Sequence, residues 1–232
     1  EIPGVFVEVH RAARVLQAAN ARLVRATSLP QLGRTLLVVA LPPDLSLAEA
    51  RGLLQQSAPS ARIDLHHLYG LAETPRLFAA AQIGDDPGQL CPLRSPVKVG
   101  LIDGPLNTGH RALDGVEIIS TSVLQPGEAP VSRDHGTAVA ALVAGQGEAF
   151  HGFAPGARIY AVTAFAARAG GSARLEAVAP GLDWLAGQGV RIVNLSMEGS
   201  PNAAFADILD AAGQAGLVII AAAGNEATSA PR

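Results

Sequence analysis

Hydrophobic and polar positions along this chain follow two rhythms, and the change falls near residue 97. Before it, the segments are short and mixed. "GVFVEVH" (residues 4–10) alternates with period two, which predicts a half-buried strand. "RAARVLQAANA" (11–21) has helix-forming composition, with Val15 and Leu16 on one side. "RLVRATSLP" (22–30) returns to a strand, and "GRTLLVVALP" (33–42) predicts a stronger one, closed by Pro42 and Pro43. In "DLSLAEARGLLQQSAP" (44–59), Ser46 and Glu49 have capping-box spacing, and Leu47, Ala50, Leu53 and Leu54 share one helical face. "ARIDLHHLYG" (61–70) predicts a closing strand. The order β-α-β-β-α-β is that of a small ferredoxin-like α+β domain over residues 1–71. Residues 72–96 read as a linker: "GDDPGQLCPLRSP" is dense in Gly, Pro and Asp without a period, and a short helix is expected at 75–82.

From residue 97 to 232 the rhythm is different. Near-continuous apolar runs, "VKVGLID", "VEIISTSVL", "ARIYAVTAF", "VRIVNLSM" and "LVIIAAAG", alternate with the helical stretches "GTAVAALVAG", "SARLEAVAPGLDWLAGQG" and "PNAAFADILDAAGQAG". Apolar strands separated by helices predict an α/β fold, a doubly wound, mostly parallel sheet covered on both faces. In such sheets the chemistry gathers at the carboxyl ends of the strands.

Composition narrows the partners. A net charge of -3, a pI near 6.1 and 4% aromatic residues argue against nucleic acid, which asks for basic patches and stacking rings. The lone Cys91 rules out an intrachain disulfide framework or a Cys-based zinc site. No apolar run reaches the ~18 residues of a membrane span. The first residue is Glu1, so the start reads as a processed end or a chosen boundary.

Three strand ends carry unusual residues. "VKVGLID" delivers Asp103, "RDHGTAVAALVAG" sets His135 just before a Gly-Thr helix start, and "LVIIAAAGN" delivers Asn225. Singly, each has an ordinary structural explanation: a cap, a structural histidine, a turn. Their roles are nonetheless complementary. A buried carboxylate fixes an imidazole's tautomer, the imidazole acts as general base toward a nucleophile, and a side-chain amide donates to a developing oxyanion. The remaining histidines read as surface or packing residues (His66 and His67) or loop residues (His110 and His151), and no metal-ligand spacing is present.

The landmarks "VGLIDGPL", "DHGTAVAALVAG", "GFAPGARIYAV", "VRIVNLSMEG" and "VIIAAAGNE" resemble, in this order, those of the subtilisin family of serine peptidases. His135 follows Asp103 by 32 residues and Asn225 follows His135 by 90, close to the family's intervals. The resemblance implies a peptidase working through a Ser/His/Asp acyl-enzyme. Asp103 would orient the base, His135 would be the base, and Asn225 would donate to the oxyanion. By the same resemblance, Ser196, Met197, Glu198 and Gly199 belong to a substrate-binding strand, the first three running beside the peptide. Ala222, Ala223 and Gly224 would wall the primary specificity pocket. The N-terminal part resembles the family's propeptide, its last strand leading a tail into the cleft. The resemblance also implies a secreted or periplasmic location. It requires no cofactor; calcium sites occur in the family, and nothing in this sequence places one.

The sequence departs from the family pattern at Gly104-Pro105, at Ala138 and at Glu198, where a Gly is usual. A carboxylate at 198 either points to solvent or, near the pocket, favours a basic substrate side chain. The nucleophile motif, Gly-Thr-Ser opening an apolar helix, is absent. Ser229 has no helix after it, and Ser172 reads as a helix N-cap. The serine is therefore expected beyond Arg232, on a second fragment after a nick or in a region cut away, and this chain alone should be inactive. The alternative is an inactive relative that binds or inhibits peptides. A nucleotide-binding α/β protein is disfavoured, because "IDGPLNTG" replaces any Gly-rich phosphate loop after the first strand.

Overall fold

The computed structural model of the chain describes residues 3–71, 93, 95–147, 150–169 and 171–222. Its main sheet has five strands, all parallel: β4 (Lys98–Asp103), β5 (Ile118–Ser122), β8 (Arg158–Thr163), β10 (Ile192–Leu195) and β12 (Val218–Ala221), in the order β12-β10-β4-β8-β5. Helix α3 (Asp134–Ala144) packs Ala140, Ala141 and Ala144 against Leu101, Ile159 and Ala161, and the short strands β6 (Gln146–Gly147) and β7 (Phe150–His151) pair antiparallel after it. Helices α4 (Leu175–Gly187) and α5 (Ala203–Gln214) contribute Val178, Leu182, Leu185, Ile208 and Ala212 to a second cluster around Ile102, Val162 and Val193. Leu101 and Ile102 thus bury in different layers, as expected of a strand covered on both faces. The packing leaves no slack at Gly100, where an added Cβ would meet Leu185 Cδ1 at 2.9 Å. The doubly wound parallel sheet expected from the apolar runs is present.

The N-terminal part differs from expectation at both ends. Residues 4–10, expected as a strand, belong to helix α1 (Pro3–Ala18). Its N-terminal proline suits a helix start, and the Ala-rich turns that follow carry Ala12 and Leu16 into a small core with Ala50, Leu54 and Ala58 of α2 (Leu47–Ser57). Each Val costs a helix only a few tenths of a kcal/mol, less than that packing returns. Asn20, at φ 60°, ends the helix. Strands β1 (Arg22–Leu29) and β2 (Arg34–Ala40) pair antiparallel as a two-stranded sheet, and α2 carries the expected capping box of Ser46 and Glu49.

The closing strand is shorter than expected and lies elsewhere. Only Leu68–Leu71 (β3) is a strand, and it does not join β1 and β2. It is the middle strand of an antiparallel sheet of three, between β9 (Ser172–Arg174) and β11 (Met197–Glu198). Residues just before it are held by helix residues instead of a ladder. Asp64 Oδ2 accepts the Ala203 N–H at 2.7 Å, Asn202 Nδ2 donates to the Leu65 carbonyl at 2.8 Å, and Arg51 Nε donates to the Ile63 carbonyl at 3.2 Å. Ser172, expected to cap a helix, is a β9 residue; the helix begins after Arg174. The helix expected at 75–82 lies outside the described residues.

Two further contacts tie the N-terminal part to α4 and α5. Asp183 accepts the Gln31 and Leu32 N–H groups at 2.7 and 3.1 Å, and burial pushes its carboxyl above the usual range against those two bonds. Arg34 Nε pairs with Asp207 Oδ2 at 2.8 Å. At Asp64 the shift is downward. The Ala203 N–H holds its carboxyl below the ordinary 3.8, burial opposes this, and the Leu65 N–H and Arg51 assist. A lowered folded-state pKa means a contribution that is whole above 3.8 and lost as pH falls through the lowered value. Protection of the Ala203 amide against hydrogen exchange is therefore expected to drop at acid pH, and Asp64→Asn, which keeps an acceptor without a charge, is expected to flatten that drop. A wild-type profile identical to that of Asp64→Asn would contradict this.

Candidate active site

Asp103 ends β4, the central strand, and is fully buried. A buried carboxylate needs partners for its lone pairs. Oδ1 accepts the Gly104 N–H at 2.6 Å, and His135 Nδ1 lies 2.8 Å from Oδ1 and 2.9 Å from Oδ2. His135, the second residue of α3, keeps 16% of its side chain exposed. Nδ1 thus carries the proton toward the carboxylate, leaving Nε2 as the basic nitrogen.

The Gly-Thr after His135 builds this approach. A Cβ on Gly136 would lie 2.8 Å from the Gly104 carbonyl, 3.0 Å from that of Pro105 and 3.3 Å from Asp103 Oδ1, so only glycine lets the helix start come so close to the strand end. Thr137 Oγ1 accepts the Asn107 N–H at 2.8 Å and donates to the Arg133 carbonyl, pinning the loop after Asp103 to the first turn of α3. The spacing of the sequence displays this Gly-Thr pair but not its positioning role.

The strand register aligns the other candidates. Leu195 pairs with Ile102 on one side and Ala221 on the other, so Ser196 and Ala222 follow at the same carboxyl edge as Asp103. Ser196 Oγ accepts from Asn194 Nδ2 at 2.5 Å. Met197 pairs with Leu71 and Glu198 with Gly70, while Ser172 and Ala173 pair with Gly70 and Tyr69 on the other side. Leu68–Leu71 therefore fills a strand-shaped groove that opens at the edge carrying Asp103. Ala223, Gly224 and Asn225 lie outside the described residues.

Tyr69 anchors the occupant. It is 2% exposed, its ring is 5.0 Å from that of Phe205 and tilted 53°, and it lies against Gly199, where a Cβ would come within 2.3 Å of Tyr69 Cδ1. Burial, with Asp64 nearby, pushes its hydroxyl up to about 12. That hydroxyl is buried and has no hydrogen-bond partner among the described residues. Tyr69 and the β9 wall were not singled out from the sequence, since pairing across a hundred residues leaves no local signal. Among the described residues no group of three His, Cys, Asp or Glu side chains is placed to hold a metal ion. None of their helices is long and apolar enough to cross a membrane.

Comparison with known proteins gives the same picture. The sequence profile of the Subtilase family matches residues 94–232. Subtilisin Savinase of Lederbergia lenta is 34% identical over 137 residues, covering 56% of this chain and 48% of its own. Subtilisin E of Bacillus subtilis (strain 168) is 31% identical over 143 residues, 58% of this chain and 36% of its own. The chain thus spans half or less of the length of these curated relatives. The crystal structure of fervidolysin from Fervidobacterium pennivorans, a keratinolytic enzyme related to subtilisin, superposes with a TM-score of 0.66 at 19% identity, over 94% of this chain and 38% of that one. At that identity the likeness is one of fold, and it extends through the N-terminal part.

Proposed function

The chain belongs to the subtilase family, and we propose that it is the N-terminal portion of a subtilisin-type serine endopeptidase whose residues 1–71 act as a propeptide-like inhibitor of the cleft. One observation carries this reading: a buried carboxylate and an imidazole in bidentate contact, Asp103 and His135, at the end of a groove already filled by a strand of the same chain. The nucleophilic serine comes from a segment beyond Arg232, which is the partner this reading requires. An extracellular location fits the same reading.

In the proposed reaction, His135 Nε2 takes the serine hydroxyl proton as the oxygen attacks the substrate carbonyl carbon. Asp103 holds the Nδ1 proton and stabilises the imidazolium. Negative charge moves onto the carbonyl oxygen, where Asn225 donates a side-chain N–H. His135 then passes its proton to the leaving amine as the C–N bond breaks. Water, deprotonated by the same nitrogen, releases the acyl group. The substrate adds a strand between β9 and β11 in the place of Leu68–Leu71, its backbone paired on both sides. Glu198, in register with Gly70, would bias the substrate residue at that position toward a basic side chain. Ala222, Ala223 and Gly224 are assigned to the pocket for the residue before the scissile bond.

The oxyanion assignment has a distinct kinetic signature. Asn225→Ala in the full-length protein is expected to lower kcat by about 10² to 10³-fold with little change in KM, since the donor acts on charge present only in the transition state. An unchanged kcat in a folded variant would remove Asn225 from the reaction.

A further inference from the structure

The groove wall β9 ends at Arg174 and α4 begins at the next residue, carrying Glu176 in its first turn. Glu176 is 7% exposed. A carboxylate so buried persists only with cationic partners, and it has two. Arg174 Nε lies 3.1 Å from Oε1, and Arg25 Nε lies 3.4 Å from Oε2, close enough for an ion pair though not aligned as a hydrogen bond. Arg174 is shared with Glu128, whose Oε2 accepts the Gln125 N–H at 2.9 Å. Gln125 Oε1 in turn accepts from Arg25 Nη1.

Arg174 belongs to the wall, but Arg25 arrives from the N-terminal part. It projects from a β-bulge: the register of β1 against β2 slips between Leu23 and Arg25, a distortion that re-aims a side chain. Its guanidinium bridges two acceptors: Nη1 donates to Gln125 Oε1, and Nε lies at ion-pair distance from Glu176 Oε2. A planar guanidinium reaches the amide and the carboxylate at once; an ammonium offers a single point charge. Without Arg25, the cluster holds two carboxylates around one cation.

We propose that Glu176 and Gln125 form a guanidinium site at the end of the groove wall, and that Arg25, seated in it, is the latch that keeps Leu68–Leu71 in the groove. The consequence for a peptidase cleft rests on the function proposed above; the site itself does not. Vacated by Arg25, it accepts a guanidinium from another source.

Hydrogen exchange on the full-length protein tests this without relying on catalysis. In Arg25→Ala, exchange at the amides of 68–71 is expected to accelerate about tenfold or more, while β4 and β8 keep their wild-type protection and so report an intact fold. Millimolar ethylguanidinium is expected to restore protection at 68–71, ethylammonium is not, and neither acts on the double variant Arg25→Ala/Glu176→Gln. Unchanged exchange in Arg25→Ala, equal rescue by both cations, or rescue that survives Glu176→Gln would each overturn the proposal. A protein that shows the selective rescue yet hydrolyses no peptide would overturn only the functional reading.

Discussion

Asp103→Asn in the full-length protein is expected to lower kcat for peptide hydrolysis by roughly 10⁴-fold, the scale on which a triad suffers when its carboxylate becomes an amide. The reason is visible in the contacts. Both Asp103 oxygens face His135 Nδ1, and Oδ1 also accepts the Gly104 N–H. An Asn side chain can keep its oxygen toward Gly104, so the strand end survives. Its amide group then presents N–H where an acceptor is required. Nδ1 loses its proton, Nε2 gains one, and the nitrogen facing the nucleophile is no longer a base. KM is expected to stay near the wild-type value, because Asp103 is buried beneath His135 and lies outside the paired groove walls. A loss smaller than tenfold in a folded variant would contradict the assignment of the base.

Tyr69→Ala is expected to loosen the hold of the N-terminal region on the groove by roughly a hundredfold or more, read as the residual activity of uncleaved protein on a short peptide. Truncating a buried aromatic ring costs about 3–5 kcal/mol, and Tyr69 is the most buried side chain of the inserted strand, between Phe205 and Gly199. Tyr69→Phe is expected to act in the opposite direction. It removes a buried hydroxyl that has no partner among the described residues, and an unsatisfied group costs about 1–3 kcal/mol where it stands. A Phe variant that inhibits less well than wild type would mean that the hydroxyl is satisfied in solution.

How much of this was legible in the sequence follows from how local each signal is. Parallel strands buried on both faces must be apolar throughout, so β4, β8 and β10 announced themselves, and Asp103 stood out as the charge ending such a run. His135 was marked by the Gly-Thr behind it, which the close approach to Gly104 requires. The alternation at residues 4–10 misled because seven residues of period two are too few to outweigh an Ala-rich continuation that packs on α2. The destination of β3 could not be read at all. "HLYGL" is strand-like on any sheet, and what decides its place is the pairing edges of β9 and β11 together with a pocket that exists only because residue 199 has no side chain. Arg25, Glu176 and Asp183 were silent for a related reason: a charged residue on a short strand or helix ordinarily faces water, and here the docked hairpin brings them their partners.

Asp103 and His135 are proposed to activate a serine carried by a segment beyond this chain. Labelling of the native, full-length protein with a fluorophosphonate probe tests it most directly. Covalent label is expected on a serine outside residues 1–232, in a peptide that stays with this chain on purification, and it is expected to be lost in His135→Ala. No label on intact, folded protein, or label that persists unchanged in His135→Ala, would contradict it.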